Sequence, residues 1–331
     1  MDKPRTLSRT RQTPAKNMSQ SVFRGSEFFS AGRLVPILLL ICSAGIIASQ
    51  VHRPVILLKT WLPWIDVGCL AIAMTPVIMM GGIDLSVASQ VALHCVGFGL
   101  CLQAGWSLFP AISCTLCVAV FCGFVNGGLV ARGRPSLLVT LATMALYRGF
   151  AMSFAGAEPV RLATPVSDPD HLPVQYIAFA GLAFFAWLLV HRTTAGRWIL
   201  AVGENRTAAR ISGVPDRRLD VLAWTTCGLT AGLVAVMNVL QHNVAIPDSA
   251  LGAELQAIAC VIVGGTLITG GRGGMTGTLL GIAVVSTLDI ALQFLSTRFP
   301  LISVESRMIV TGILLISVAV STQNFAGKRS A

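Results

Sequence analysis

The chain has 331 residues, of which 54% are hydrophobic and only 11% charged, with a mean hydropathy of +0.75. A soluble domain carries about 25% charged residues, so this composition excludes a soluble enzyme, a secreted disulfide scaffold and a disordered chain, and indicates a polytopic membrane protein. The net charge of +10 is uneven: Lys3, Arg5, Arg9, Arg11, Lys16, Arg24 and Arg33 crowd the first 33 residues against Asp2 and Glu27. That placement reads as membrane orientation, with no nucleic-acid partner.

Residues 1–33 read as a basic cytoplasmic tail too polar to fold alone. A bilayer core of about 30 Å needs roughly 20 apolar residues per helix. On that ruler, residues 34–320 form an all-α transmembrane bundle of about ten spans. These run over 34–50, 62–80, 85–104, 107–130, 136–156, 173–190, 219–241, 255–270, 274–295 and 302–320, and residues 321–331 form a short tail. Only Gly81, Gly82, Ile83 and Asp84 separate the second and third spans, and only 270–273 separate the eighth and ninth. Both joints could be interrupted or re-entrant helices. The first span lacks a small-x-small cleavage site and reads as an uncleaved anchor. All nine cysteines fall in apolar stretches, which favours free thiols over disulfides; the Cys114/Cys117 pair has no companion ligands at metal spacing.

Arginine placement sets the expected orientation. Residues 191–218 carry Arg192, Arg197, Arg206, Arg210, Arg217 and Arg218 against Glu204 and Asp216, whereas 157–172 carry Arg161 against Glu158, Asp168 and Asp170. The first segment is expected in the cytoplasm with both termini, the second outside. Within it, Asn205 can cap a short helix through Ala208 and Ala209, with Gly213 at the C-terminal end and Pro215 beyond. A solvated basic loop and a partner-held helix both fit that pattern. The G-x-x-x-x-G-K-[ST] phosphate loop and the common hydrolase motifs are absent from the sequence.

Four ordered stretches resemble the ribose-type permease family of ABC importers: Gly81 to Val87; Asn126-Gly127 followed by Thr140, Leu141 and Arg148-Gly149; the segment 201–214; and the glycine-rich block 258–278. The likeness covers about residues 60–320. It implies an inner-membrane permease, not itself an enzyme, paired with a second permease copy or a related one. It further implies a periplasmic sugar-binding protein and a cytoplasmic ATPase that alone carries ATP and Mg²⁺, leaving this chain without a cofactor. By the same resemblance, Gly203, Glu204, Asn205, Ala208, Ala209, Arg210, Ser212 and Gly213 belong to the helix that couples to the ATPase. Three positions depart from the family pattern: Ala88 where a glycine is usual, Gln256 for an acid and Asp289 for an amide. They weaken any inference about which sugar passes.

Asp84 can accept hydrogen bonds from the N-terminus of the following helix, and Gly264, Gly265, Gly270, Gly271 and Gly274 allow close helix approach. Asp84, Ser86, Asn126, Thr140, Arg148, Asn238, Gln241 and Asp289 are the candidate pathway or structural polar residues, with an Arg148–Asp289 pair expected. A proton-coupled secondary transporter using Asp289, Asp66 and His94 as a relay is the competing reading. Its discriminating feature is the 203–214 segment, which such a transporter does not need.

Overall fold

The computed structural model describes residues 39–45, 47–48, 54–156, 158–162, 172–298, 309 and 312–313; the N-terminal tail, about half of the first expected span, most of the last, and the C-terminal tail lie outside them. From Pro54 to Arg298 the order is α1 (Pro54–Met79), α2 (Val87–Gln103), α3 (Leu108–Ala131), α4 (Ser136–Ala155), β1 (Val160–Arg161), α5 (Leu172–Arg192), α6 (Thr194–Glu204), α7 (Arg206–Ile211), α8 (Asp216–His242), β2 (Val244–Ala245), α9 (Ala253–Val263) and α10 (Met275–Arg298). Among the described residues six helices are long and apolar enough to cross a membrane, namely α1, α3, α4, α5, α8 and α10; α2 and α9 are shorter apolar helices.

The chain turns where its glycines permit. At the end of α1, Gly81 adopts φ +78°, and Gly82 N–H donates to Val77 O at 2.9 Å, so the last carbonyls of the helix are satisfied by the turn itself. α2 then runs through the middle of the bundle, buried along most of its length from Val87 to Gly99. A helix apolar on every face is stable only when surrounded, and α2 packs against α3, α4 and α8. Gly123 of α3 meets Gly228 of α8, while Gly127, four residues on, lies against Val221, and Gly232, four residues beyond Gly228, lies against Ala119. A Cβ on Gly123 would lie 2.5 Å from Trp224 O, and one on Gly228 would lie 2.4 Å from Ala119 O. Two facing G-x-x-x-G stripes thus let the backbones touch, the means by which apolar helices associate without a hydrophobic drive. Outward, Phe121 and Phe124 of α3, Phe150 and Phe154 of α4, and Ile177, Phe184 and Phe185 of α5 are exposed, a surface suited to lipid or to another apolar chain.

Two expected elements differ in form. The span over 255–270 is cut short, since α9 stops at Val263: a Cβ on Gly264 would meet Gly277 O at 2.3 Å, and Gly265 takes φ +88°. Eleven residues reach about 16 Å, less than the bilayer core. The segment 191–218 holds, besides the expected short helix after Asn205 (α7), a further helix, α6, that joins it at that residue.

The connections sort to two ends. At one end, Gly271 N–H donates to Met79 O at 3.0 Å, Ile83 N–H to Ser136 Oγ at 3.3 Å, and α6 packs beside both partners of the first bond. At the other, Val160 pairs with Ala245 and Arg161 with Val244, antiparallel, and Leu162 N–H donates to Asn243 O. The first end gathers Arg132, Arg134, Arg197, Arg206, Arg210, Arg217, Arg218 and Arg272.

Candidate functional site: the basic end and its buried polar anchor

α7 is built as the local sequence dictates. Asn205 sits in extended conformation (φ −155°, ψ 100°) and its Oδ1 accepts the Ala208 N–H at 2.9 Å, satisfying one free donor of the first turn. Gly213 (φ +85°) closes the far end, with Val214 N–H reaching Ala209 O at 3.0 Å. A helix of six residues is not stable alone. Two close ion pairs fasten it to α8: Arg206 grips Asp220 with both terminal guanidinium nitrogens at 2.5 and 2.9 Å, and Arg210 grips Asp216 at 2.6 and 3.2 Å, with Arg206 also 3.7 Å from Asp216. Asp220 is fully buried and Asp216 nearly so. Hydrogen bonding to Asp216 holds the Arg210 guanidinium above its ordinary range, so it stays charged.

The residues expected to couple to a partner fall into two groups. Glu204, Asn205, Ala208, Arg210, Ser212 and Gly213 are exposed, whereas Ala209 is buried and holds the helix down. Gly203 also faces inward: a Cβ there would sit 1.9 Å from Met79 O and 2.4 Å from Gly271 N. Ile211, 83% exposed at the tip of α7, is the residue that sequence reasoning missed. An apolar side chain closing an otherwise polar helix was the available signal.

Behind this end lies a buried network. Asp84 Oδ1 accepts both the Ser86 N–H at 2.9 Å and the Ser86 Oγ–H at 2.6 Å. Asn126 Nδ2 donates to Ser86 Oγ at 2.8 Å, Gln90 Nε2 to the same oxygen at 3.0 Å, and the Tyr147 hydroxyl to Asn126 Oδ1 at 3.2 Å. Thr140 Oγ1 donates to Ser136 O at 2.9 Å and approaches Ile83 O at 3.2 Å. Asp84, Ser86, Asn126 and Thr140 have no exposed surface, so in this conformation they fasten the α1–α2 turn to α3 and α4. The expected capping role of Asp84 shifts accordingly, because its carboxylate bonds Ser86 just upstream of α2 rather than the N–H groups inside the helix. We expect Asn126→Leu to cost about 1 kcal/mol, since it removes the bonds to Ser86 and Tyr147 while Ser86 keeps Asp84 and Gln90 and the Tyr147 hydroxyl keeps the Cys122 carbonyl; denaturation of the purified protein in mixed micelles measures it.

The expected Arg148–Asp289 pair is not made. Arg148 instead donates to the carbonyls of Pro247 and Ser249, both at 3.2 Å, because the turn after β2 offers it oxygen at close range. Asn238 Nδ2 donates to Asp66 Oδ2 at 3.2 Å, and Gln241 Oε1 accepts from Gln175 Nε2 at 2.8 Å. His94 is buried beside a cavity of about 180 Å³ with Cys101, Cys114 and Phe154, and its Nε2 has no hydrogen-bond partner. It makes no bond to Asp66 or Asp289, so the three do not form a hydrogen-bonded relay in this conformation. All nine cysteines are free thiols. Of the glycines in 264–274, Gly270 and Gly271 (φ +83° and +77°) lie on the α1–α2 turn, Gly264 on α10, and Gly274 against the His191 ring, while nothing crowds Gly265.

A bundle of apolar helices with a compact cationic end and a buried polar network is the architecture of a multi-pass membrane protein. The chain belongs to the family described as branched-chain amino acid transport system permease components, whose model matches residues 59–319. It is similar to the ribose import permease protein RbsC of Escherichia coli K12, at 32% identity over 262 residues, 75% of this chain and 79% of that one. It is also similar to the autoinducer 2 import system permease protein LsrD of Yersinia enterocolitica, at 33% identity over 278 residues, 80% of this chain and 82% of that one. No solved structure matches it significantly.

Proposed function

We propose that this chain is the translocating subunit of a binding-protein-dependent ABC importer that carries a monosaccharide or related furanosyl solute inward across a bacterial inner membrane. The observation that carries the reading is α7: a capped helix held to α8 by two ion pairs, presenting Ile211 and a polar rim to a partner. Its partner in this reading is a cytoplasmic ATPase, which binds ATP and Mg²⁺. A periplasmic sugar-binding protein delivers solute to the opposite end, and a second permease copy or a related permease completes the pathway. The concentration of arginine at the α6–α7 end supports placing that end, with both termini, in the cytoplasm. The two sugar-type relatives favour a sugar-like solute over an amino acid.

The proposed sequence of events is mechanical. ATP binding draws the two ATPase subunits together, the seated α7 helices follow, and the pathway tips outward to accept solute; hydrolysis resets it. This chain forms and breaks no covalent bond.

Ile211→Asp tests the docking role, because it puts a charge at the centre of the proposed contact without touching either ion pair. We expect the partner ATPase to be lost on co-purification, by at least about tenfold in affinity, while the permease retains its stability. Arg210→Glu is a poorer test, since it sets a new acid against Asp216 and loosens α7 itself. Wild-type complex formation by Ile211→Asp would overturn the docking role of α7.

A further inference from the structure

Five polar side chains stand in a layer far from the basic end. The α1–α2 and α9–α10 turns meet at the Met79–Gly271 hydrogen bond, which provides a reference level. Asp66 precedes Met79 along α1, and Asp289 follows Met275 along α10. On α8, Trp224 lies against Gly82 of the turn, with Asn238 and Gln241 further along the same helix; on α5, His191 lies against Gly274, with Gln175 near the opposite end of that helix. At a helical rise of about 1.5 Å per residue, all five fall roughly 20 to 25 Å from the turns, in the outer half of a core about 30 Å thick.

Their helices also converge. A Cβ on Gly68 of α1 would lie 2.7 Å from the Phe179 ring of α5 and 3.4 Å from Ile282 of α10. Measured along their own helices, Asp66, Gln175 and Asp289 lie within about 11 Å of that junction, all on its far side from the turns. The bonds Asn238–Asp66 and Gln175–Gln241 tie α8 to α1 and α5 at this level. All five side chains are half-buried, neither sealed in the core like Asp84 nor turned wholly outward. Polar groups at such a depth are costly against hydrocarbon and are accommodated beside protein or water.

The layer holds two carboxylates and three amides, and the stretches of α1, α5, α8 and α10 that form it contain no Lys or Arg. Arg148 of α4 stands at about this depth, roughly 18 Å beyond Ser136, with its guanidinium held on the Pro247 and Ser249 carbonyls. Amides and carboxylates bond hydroxyl groups readily, and two carboxylates against this one arginine leave a net negative layer that disfavours an anionic group. We propose that this layer lines the solute pathway and filters by charge, passing neutral polyhydroxylated solutes and disfavouring solutes that carry a carboxylate, such as amino acids. The proposal rests on the importer reading for the solute class, but the layer's exposure and charge are measured without any solute or partner.

The experiment places a cysteine at Asn238 or at Gln241 in the full chain, in membranes opened by freeze–thaw so that both faces are reached. Two methanethiosulfonate reagents of similar size are compared, one bearing trimethylammonium and one sulfonate, each rate being normalised to that on free 2-mercaptoethanol. Modification is read by fragment-ion mass spectrometry of the α8 peptide, in a Cys227→Ala background so that the introduced cysteine is the one thiol of that helix. We expect both positions to react, the cationic reagent about tenfold faster than the anionic one, and the preference to vanish when Asp66→Asn and Asp289→Asn are added. Gln175→Cys on α5 gives the same reading if an α8 variant fails to accumulate. No reaction with either reagent would show a sealed layer, and equal or anion-favouring rates would show no charge filter; each overturns the proposal. Loss of ATPase docking by Ile211→Asp leaves this measurement unaffected, so the two readings fail separately.

Discussion

Gly203→Val is expected to remove nearly all folded protein from the membrane. The added Cβ would lie 1.9 Å from Met79 O and 2.4 Å from Gly271 N, the two atoms that hydrogen-bond each other to join the α1–α2 and α9–α10 turns. Neither is the end of a flexible side chain, so α6 cannot stay where it is. On the other flank of the junction, Gly271 leaves no room either, since a Cβ there would meet Glu204 Cα at 2.9 Å. Overpacking of a rigid contact costs about 1–3 kcal/mol and more where only backbone can yield. The comparison is Gly133→Ala, at φ +84° with nothing near its Cβ, where only the left-handed backbone is strained, by about 1–2 kcal/mol. Detergent extraction followed by size-exclusion chromatography checks both: a sharp peak for the Gly133 variant and near-complete loss for the Gly203 variant. A wild-type profile for Gly203→Val would mean that α6 does not pack on the two turns.

Arg206→Met is the second large effect. Asp220 is fully buried, and Arg206 supplies its two charge-assisted hydrogen bonds from a side chain about one-third exposed. Removing the cation leaves a carboxylate in the interior, which costs about 3 kcal/mol, the low end for a buried pair because the guanidinium itself keeps contact with water. The stability is lost through the stranded acid rather than through the missing arginine, so Asp220→Asn added to Arg206→Met should recover most of it. Unfolding midpoints of the single and double variants in one detergent decide the point. Equal destabilisation in the two would place the cost in lost packing of the arginine stem instead.

Much of the basic end was legible along the chain because its signals are local. An asparagine before a short helix and a glycine after it act within one turn, and Asn205 and Gly213 do in the structure what their neighbours dictate. The apolar runs likewise declare membrane helices, since one side chain's transfer energy depends little on what it will touch. The identity of the partners of each charge was not legible in this way. Arg148 and Asp289 are both ionisable residues in apolar segments, yet Arg148 is met by two carbonyls from a turn far along the chain.

The glycines divide along the same line. Those with positive φ, such as Gly81 and Gly213, serve a turn that the nearby sequence announces. Gly123, Gly127, Gly203 and Gly228 are helical and carry no local signal; each is required because another backbone lies within about 3 Å of where a Cβ would stand. Apolar content and arginine bias settled that the chain is a multi-pass membrane protein with one basic end. Only the packed bundle decided that Gly203 locks two distant turns, that Ser86 and Asn126 share a hydrogen bond, and that polar residues from four helices fall at one depth. Composition and capping act through bonds and transfer energies within a few residues, whereas these contacts exist only once helices far apart in the chain are brought to a common level.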